Sequence, residues 1–277
     1  MAQSASEAAQ VAESYYDSID ADQIYSRVWG GEDIHIGIYH SAVEPIADAS
    51  RRTVEVMASW LPQLTSESTV IDLGAGYGGA ARYLAETYGC RVTCINLSNA
   101  QNARNRRLNQ RAELSERIDV IHGSFEHLPV PSGTYDFAWS QDALLHSGDR
   151  RRALHEVGRV LKPSGRFIFT DPMQVDGCPP NALDAVCKRL RLRNLSSPGY
   201  YRSVLAELGF REERSKDLTD QLVRHYARVR KELDQRTHEL ARYASRPYLA
   251  SMKQLCGRWI DAAREGRLRW GIYCFRR

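Results

Sequence analysis

The sequence predicts an α/β fold: a seven-stranded, mostly parallel sheet with helices on both faces. Three observations carry this expectation. Short β-branched runs alternate with helical stretches of about a dozen residues, the pattern of a doubly wound sheet. One of those runs, Val70-Ile71-Asp72-Leu73, empties into the glycine-rich turn Gly74-Ala75-Gly76-Tyr77-Gly78-Gly79. Two more segments, Phe210 to Leu218 and Leu268 to Arg276, read as the last two strands, set off by helical insertions at about 174–209 and 219–267.

The first strand and its turn are the most informative element. Gly74 and Gly76, lacking Cβ atoms, let the chain turn tightly and let a ligand lie against the backbone, with the amides pointing at it. A bare GxG also occurs in NAD-binding proteins, so the neighbouring residues must decide. Here Asp72 precedes the glycines in the spacing D-x-G-x-G-x-G, which resembles that of class I S-adenosylmethionine methyltransferases. An acid there suits a ligand with sulfonium and ammonium charges and no phosphate.

The remaining strands follow in order. Arg91 to Leu97 is the second, and its end places Asn96 where cofactor folds usually hold a ribose-binding acid; an amide can still bond a hydroxyl, helped by Gln101 and Asn102. Ile118 to Ile121 is the third, and its exit, Gly123-Ser124-Phe125-Glu126, offers Ser124 and the Phe125 amide to an adenine. Tyr135 to Ser140 is the fourth, and the turn Leu161-Lys162-Pro163-Ser164-Gly165 leads into the fifth, ending at Asp171. Ligands of such sheets bind at the carboxyl ends of the strands. That rule nominates Gln141, Asp142 and His146 after strand four, and Asp171, Pro172 and Met173 after strand five.

Composition agrees with one soluble enzyme domain, residues 51–277, preceded by a polar terminus expected to be disordered (1–13) and a lid segment (14–50). The 277 residues are 43% hydrophobic, with no apolar run approaching a membrane span and no visible signal peptide. Six cysteines without a CxxC pair argue against zinc and for reduced thiols in the cytoplasm. The net charge of +4 is mild, and the basic clusters 104–111, 150–152 and 188–193 read as solvated helix faces and not as a nucleic-acid groove.

The segments YYDS…WGGEDIHIGIY, DLGAGYGGAARYL, NLSNAQNARN, WSQDALLHS, LKPSGRFIFTDPMQ and GYYRSVLAELGF together resemble the sarcosine and dimethylglycine N-methyltransferases, which make glycine betaine. The likeness runs from about Tyr15 to the C-terminus. It implies a Rossmann-like class I methyltransferase fold, S-adenosylmethionine as donor without a metal, an N-methylated glycine as acceptor, and a monomer or homodimer. Cofactor residues are then expected at Asp72, Gly74, Ala75, Gly76, Asn96, Leu97, Gln101, Ser124, Phe125 and Gln141.

Ser140 to His146 also resembles the phosphoethanolamine methyltransferases, in which an aspartate, a histidine and an N-terminal tyrosine serve the active site; Asp142, His146 and Tyr25 take those places here. Dimethylglycine is a zwitterion near neutral pH, so its ammonium proton must leave before the nitrogen can attack, and His146 is the candidate acceptor. A developing quaternary cation calls for aromatic faces, with Tyr25, Trp29, Tyr201 and Trp270 as candidates, Trp270 favoured as core. The carboxylate calls for a fork donor, from Arg202 or from Arg228 in His225-Tyr226-Ala227-Arg228, and His225 is expected to bind substrate with them. The pair Pro172-Met173, which recurs in the family, is expected to line the acceptor pocket.

Overall fold

The computed structural model describes residues 17, 19–29, 31–61, 64–190 and 192–277, so the expectations for residues 1–13, for Tyr15-Tyr16 and for Gly30 lie outside the described residues. The strands are β1 (Thr69–Leu73), β2 (Arg91–Asn96), β3 (Ile118–His122), β4 (Tyr135–Gln141), β5 (Leu161–Thr170), β6 (Met173–Gln174), β7 (Arg211–Asp217), β8 (Leu268–Arg269) and β9 (Gly271–Arg276). Seven of them form one sheet in the order β3-β2-β1-β4-β5-β9-β7. All neighbours run parallel except β9, which is antiparallel to both β5 and β7. The chain crosses from one half of the sheet to the other between β1 and β4, and their carboxyl ends open the crevice where such sheets bind ligands.

The helices are α1 (Ile19–Val28), α2 (Ile46–Ala58), α3 (Gly79–Tyr88), α4 (Asn99–Arg111), α5 (Arg150–Val160), α6 (Asp184–Leu190), α7 (Pro198–Glu207), α8 (Thr219–Gln235), α9 (Thr237–Leu240) and α10 (Arg246–Arg264). Serines cap three of them: Ser98, Ser197 and Ser245 accept from the amides of Gln101, Tyr200 and Tyr248, satisfying donors that the first turn leaves open. The sheet interior is aliphatic and aromatic, with Ile71, Leu73, Trp139, Phe167 and Phe169 fully buried.

Two expectations are adjusted. Leu268 to Arg276 is not one strand. Leu268–Arg269 pairs with Met173–Gln174 in a separate two-stranded sheet, and Trp270 turns inward before β9 joins the main sheet. The insertion at 174–209 is only partly helical, since it begins in that small sheet and holds α6 and α7 separated by irregular chain.

Between α1 and α2 the chain forms an irregular strap, residues 31–45, laid across α2 and α8. Its amides are held from below: Gly37 N–H donates to His225 Nδ1 (3.2 Å) and Tyr39 N–H to Gln221 Oε1 (2.7 Å). Its carbonyls are held from the side, with Ser50 Oγ donating to His35 O (3.0 Å) and Thr53 Oγ1 to Ile36 O (2.9 Å). A Cβ on Gly37 would stand 2.7 Å from the Ala49 backbone carbon, so only glycine lets the strap sit this close. Gly37→Ala is therefore expected to cost about 1–3 kcal/mol by overpacking. Denaturant unfolding measures this; an unchanged midpoint would contradict the close seating.

Candidate active site

The carboxyl ends of β1 to β4 enclose a cavity of about 700 Å³, walled by Ile34, Gly74, Gly76, Asn96, Leu97, Ser98, Gln101, Ser124, Phe125, Glu126, Gln141, Asp142, Ala143 and His146. Eight of the expected cofactor residues meet there, and the other two, Asp72 and Ala75, line an adjoining cleft with Asp33 and His35. Asn96 Nδ2 donates to Gln101 Oε1 (2.9 Å), which orients the amide and leaves Oδ1 as the acceptor. Gln141 receives Trp139 Nε1–H on Oε1 (2.9 Å), while its Nε2 is a buried donor with no hydrogen-bond partner among the described residues.

The glycine loop differs from expectation in one respect. The Gly74 and Ala75 amides do not point at a ligand; they donate to Ile95 O at 2.8 and 3.3 Å, stitching the loop to β2. Gly74 and Gly76 have φ of +77° and +54°, and a Cβ on Gly76 would stand 3.1 Å from Ile34 of the strap. The loop therefore offers a flat, tightly roofed surface. Burial pushes the Asp72 carboxyl up to about 7, reinforced by Asp33 and opposed by His35, so a cation placed nearby would restore its charge.

Asp142 follows β4 in a left-handed conformation, φ +50°, which is uncommon outside glycine and clusters at functional sites. Its Oδ2 accepts Ile36 N–H of the strap (2.8 Å); its Oδ1 accepts Thr170 Oγ1–H of β5 (2.9 Å) and Trp270 Nε1–H (2.8 Å). Burial raises its pKa against the pull of His35 and of those donors. His146 ends a short 3-10 turn, Leu144–His146. Burial, helped by Arg150, lowers its pKa to about 4, so the imidazole is neutral at neutral pH. Arg150 does not lie on a merely solvated face: it donates to Leu145 O (2.9 Å) and Asn194 O (2.6 Å), clamping that turn.

A second, inner cavity of about 570 Å³ shares Ile34, Asp142 and His146 with the first. The expected residues Tyr25, Trp29, Pro172 and His225 line it, joined by His35, Tyr226 and Trp259. Tyr25 and Trp29 stand 4.7 Å apart between ring centroids, and Tyr226 stacks on Trp259 at 5.3 Å. Met173, Tyr201, Arg202 and Arg228 are not in the wall of either cavity. Met173 is core in the small sheet, and Trp270 is core with its N–H on Asp142. Tyr201 donates to Asp171 Oδ2 (2.7 Å), whose Oδ1 receives the Leu145 amide (3.0 Å), so it supports the 3-10 turn from behind. Arg202 is paired with Glu212 at 2.6 Å, and Arg228 with Glu232 at 2.7 Å and with Glu44 O at 3.1 Å.

A family model described as a methyltransferase domain matches residues 71–169. The chain is 49% identical over 271 residues to a sarcosine/dimethylglycine N-methyltransferase of Halorhodospira halochloris, covering 98% of this chain and 97% of that one. It is 46% identical over 267 residues to a dimethylglycine N-methyltransferase of Parasynechococcus marenigrum, covering 96% and 95%. A crystal structure of a Galdieria sulphuraria protein provisionally assigned as a sarcosine dimethylglycine methyltransferase superposes with a TM-score of 0.90 at 43% identity, covering 95% of this chain and 98% of that one. The chain belongs to the sarcosine/dimethylglycine N-methyltransferase family.

In this family member, His35 and Trp259 line the inner cavity although the strand-end rule could not nominate them, because they sit in the strap and in α10 and do not closely follow the carboxyl end of any strand. Both were visible as residue types, His35 inside WGGEDIHIGIY. Folding brings them to the cavity, and no periodicity records that. Asp142→Ala would leave three donors from three elements unpaired, each worth about 1–3 kcal/mol of lost stability. The expected outcome is a lower unfolding midpoint together with easier proteolysis of the strap; cleavage as slow as in the parent would show that Asp142 does not hold it.

Proposed function

We propose that this protein transfers the methyl group of S-adenosylmethionine to the nitrogen of sarcosine and dimethylglycine, forming glycine betaine. The observation that carries this is the pair of adjoining cavities with Ile34, Asp142 and His146 as their shared wall. A donor in the outer cavity and a small amine in the inner one would meet beside Asp142 and His146, and family membership supplies the chemistry expected at that meeting point. Among the described residues, the inner wall holds no lysine or arginine, which disfavours a phosphate-bearing acceptor.

The donor, when bound, supplies an electrophilic methyl carbon: a C–N bond forms as the C–S bond breaks, and the electron pair leaves with sulfur. Asn96 Oδ1, oriented by Gln101, suits a ribose hydroxyl. Gln141 Nε2, an unpaired buried donor, suits an acceptor atom of the amino-acid end, and Asp72 suits its ammonium. On the acceptor side, neutral His146 can accept a hydrogen bond from the ammonium and hand its proton on to water before attack, without itself staying protonated. Tyr25, Trp29, Tyr226 and Trp259 offer ring faces to the cation that develops. Residues 31–45 act as the lid that excludes water. Among the described residues no group of His, Cys, Asp and Glu is arranged to hold a metal, and no helix is long and apolar enough to cross a membrane.

The test is a turnover assay with labelled S-adenosylmethionine against glycine, sarcosine, dimethylglycine and phosphoethanolamine in parallel. Activity on the two methylated glycines is expected, and activity on phosphoethanolamine alone overturns the reading. His146→Ala should lower kcat by about 10²–10⁴ while leaving donor affinity intact. The raised Asp72 pKa gives a further expectation with a definite sign. The free protein carries a proton on Asp72 below about pH 7, and a bound ammonium favours the ionised form, so binding expels that proton and affinity rises with pH through 7. Calorimetric titration with S-adenosylhomocysteine at several pH values measures this, and Asp72→Asn should flatten that dependence.

A further inference from the structure

The inner cavity poses a problem for an amino-acid substrate. A carboxylate buried without donors loses hydration that nothing replaces, and among the described residues the wall has no arginine or lysine to receive it. Arg202 and Arg228 are engaged with Glu212 and Glu232 elsewhere. Yet among the described residues, three of the buried side-chain polar atoms without a hydrogen-bond partner belong to residues of this wall: His35 Nε2, His225 Nε2 and Trp259 Nε1.

Two of the three have an assigned polarity. An indole nitrogen is always a donor. His225 Nδ1 accepts the Gly37 amide at 3.2 Å and stands 3.0 Å from the Tyr39 hydroxyl. An amide can only donate, so Nδ1 is the bare nitrogen, and the proton of the neutral ring must sit on Nε2. His225 and Trp259 both line the cavity and are fully buried, and neither N–H has a hydrogen-bond partner among the described residues. His35 is different: its Nε2 lies 3.8 Å from Asp33 Oδ1 and its ring also lines the cleft beside Asp72, so it belongs with the donor-side carboxylates.

We infer that His225 Nε2–H and Trp259 Nε1–H form the binding site for the acceptor's carboxylate, a neutral two-donor anion site in place of an arginine fork. The inference rests on the proposed function for the identity of the acceptor. It gives the strap a second task. By occupying Nδ1, the Gly37 amide selects the tautomer that presents Nε2–H, so seating the strap and arming the carboxylate site are one event. In a glycine derivative one methylene separates carboxylate from nitrogen, so holding the carboxylate in this wall also holds the nitrogen within the same small cavity, whose mouth is Asp142 and His146. Neutral donors suit the product as well. An arginine would add a fixed cation beside the forming quaternary nitrogen, whereas an imidazole and an indole add none.

The experiment titrates dimethylglycine and its carboxamide, N,N-dimethylglycinamide, into the protein loaded with S-adenosylhomocysteine, alongside turnover with both. The parent protein is expected to prefer the acid. Trp259→Phe keeps an aromatic face toward Tyr226 and deletes the N–H; it should weaken the acid about tenfold and the amide less than about twofold, with kcat less affected than KM. His225→Phe should show the same selective loss, and His225→Gln, which keeps an acceptor for Gly37 and an N–H donor, should recover part of it. Unchanged affinity, or equal weakening of acid and amide in Trp259→Phe, overturns the carboxylate site, as does a parent protein that shows no preference for the acid. Absence of turnover on either methylated glycine, with the acid still preferred in binding, would instead sink the substrate assignment and leave the site standing.

Discussion

The carboxylate of Asp142 is the constraint on which the site depends. It gathers an amide of the strap, a hydroxyl of β5 and the indole of Trp270 ahead of β9, three parts of the chain far apart in sequence. To do so it sits at positive φ directly after β4. A left-handed non-glycine residue costs of order 1–3 kcal/mol and persists only where its surroundings over-determine it; here three donors and the Asp142 amide on Thr170 O do so. Both cavities are defined by that arrangement, since Asp142 stands in the wall of each. Three donors engage its two oxygens, which suits a group that positions its neighbours.

Around this anchor several titratable groups are pushed toward their uncharged forms. Burial holds His146 and His225 down at about 4 and about 3, and pushes Asp72 and Asp171 up to about 7. The two sets act oppositely on stability. The unfolded histidines bind protons below about 6.5 while the folded ones stay neutral, so stability falls as pH drops from there. The folded carboxyls keep protons that the unfolded chain has already lost above about 3.9, so they favour the folded state on the acid side and weaken it as pH rises through 7. A site that must desolvate a zwitterion and a sulfonium gains from an interior carrying few fixed charges of its own.

Much of this was legible in the sequence, and for definite reasons. The strands are legible in runs such as Val70 to Leu73 and Arg91 to Asn96, and the crevice follows from the rule that ligands bind at the carboxyl ends of such strands. Asp142, His146 and Pro172 were reachable by counting from strand ends. The rest of the inner cavity's wall was not reachable that way. His225 and Trp259 come from α8 and α10, where a buried polar ring and a core aromatic look alike until the fold shows which atoms lack partners. Arg202 and Arg228 show the converse: a guanidinium in a promising segment says nothing of the carboxylate it already holds. The break at Trp270 was hidden because β8, Trp270 and β9 read as one apolar strand, whereas its indole donates to Asp142, its amide to Thr219 Oγ1, and its carbonyl accepts the Leu218 amide.

The sheet has two ends, and each is finished differently. Every residue of β7, Arg-Glu-Glu-Arg-Ser-Lys-Asp, is exposed, and six of the seven are charged. At the other end, Arg106 reaches over β3 and donates to Val120 O at 2.7 Å. Unpaired strand edges invite addition of a strand from another molecule, and charge or a covering side chain blocks it. Part of the arginine that makes this chain basic therefore serves colloidal behaviour: it lets the protein crowd without its sheets joining end to end.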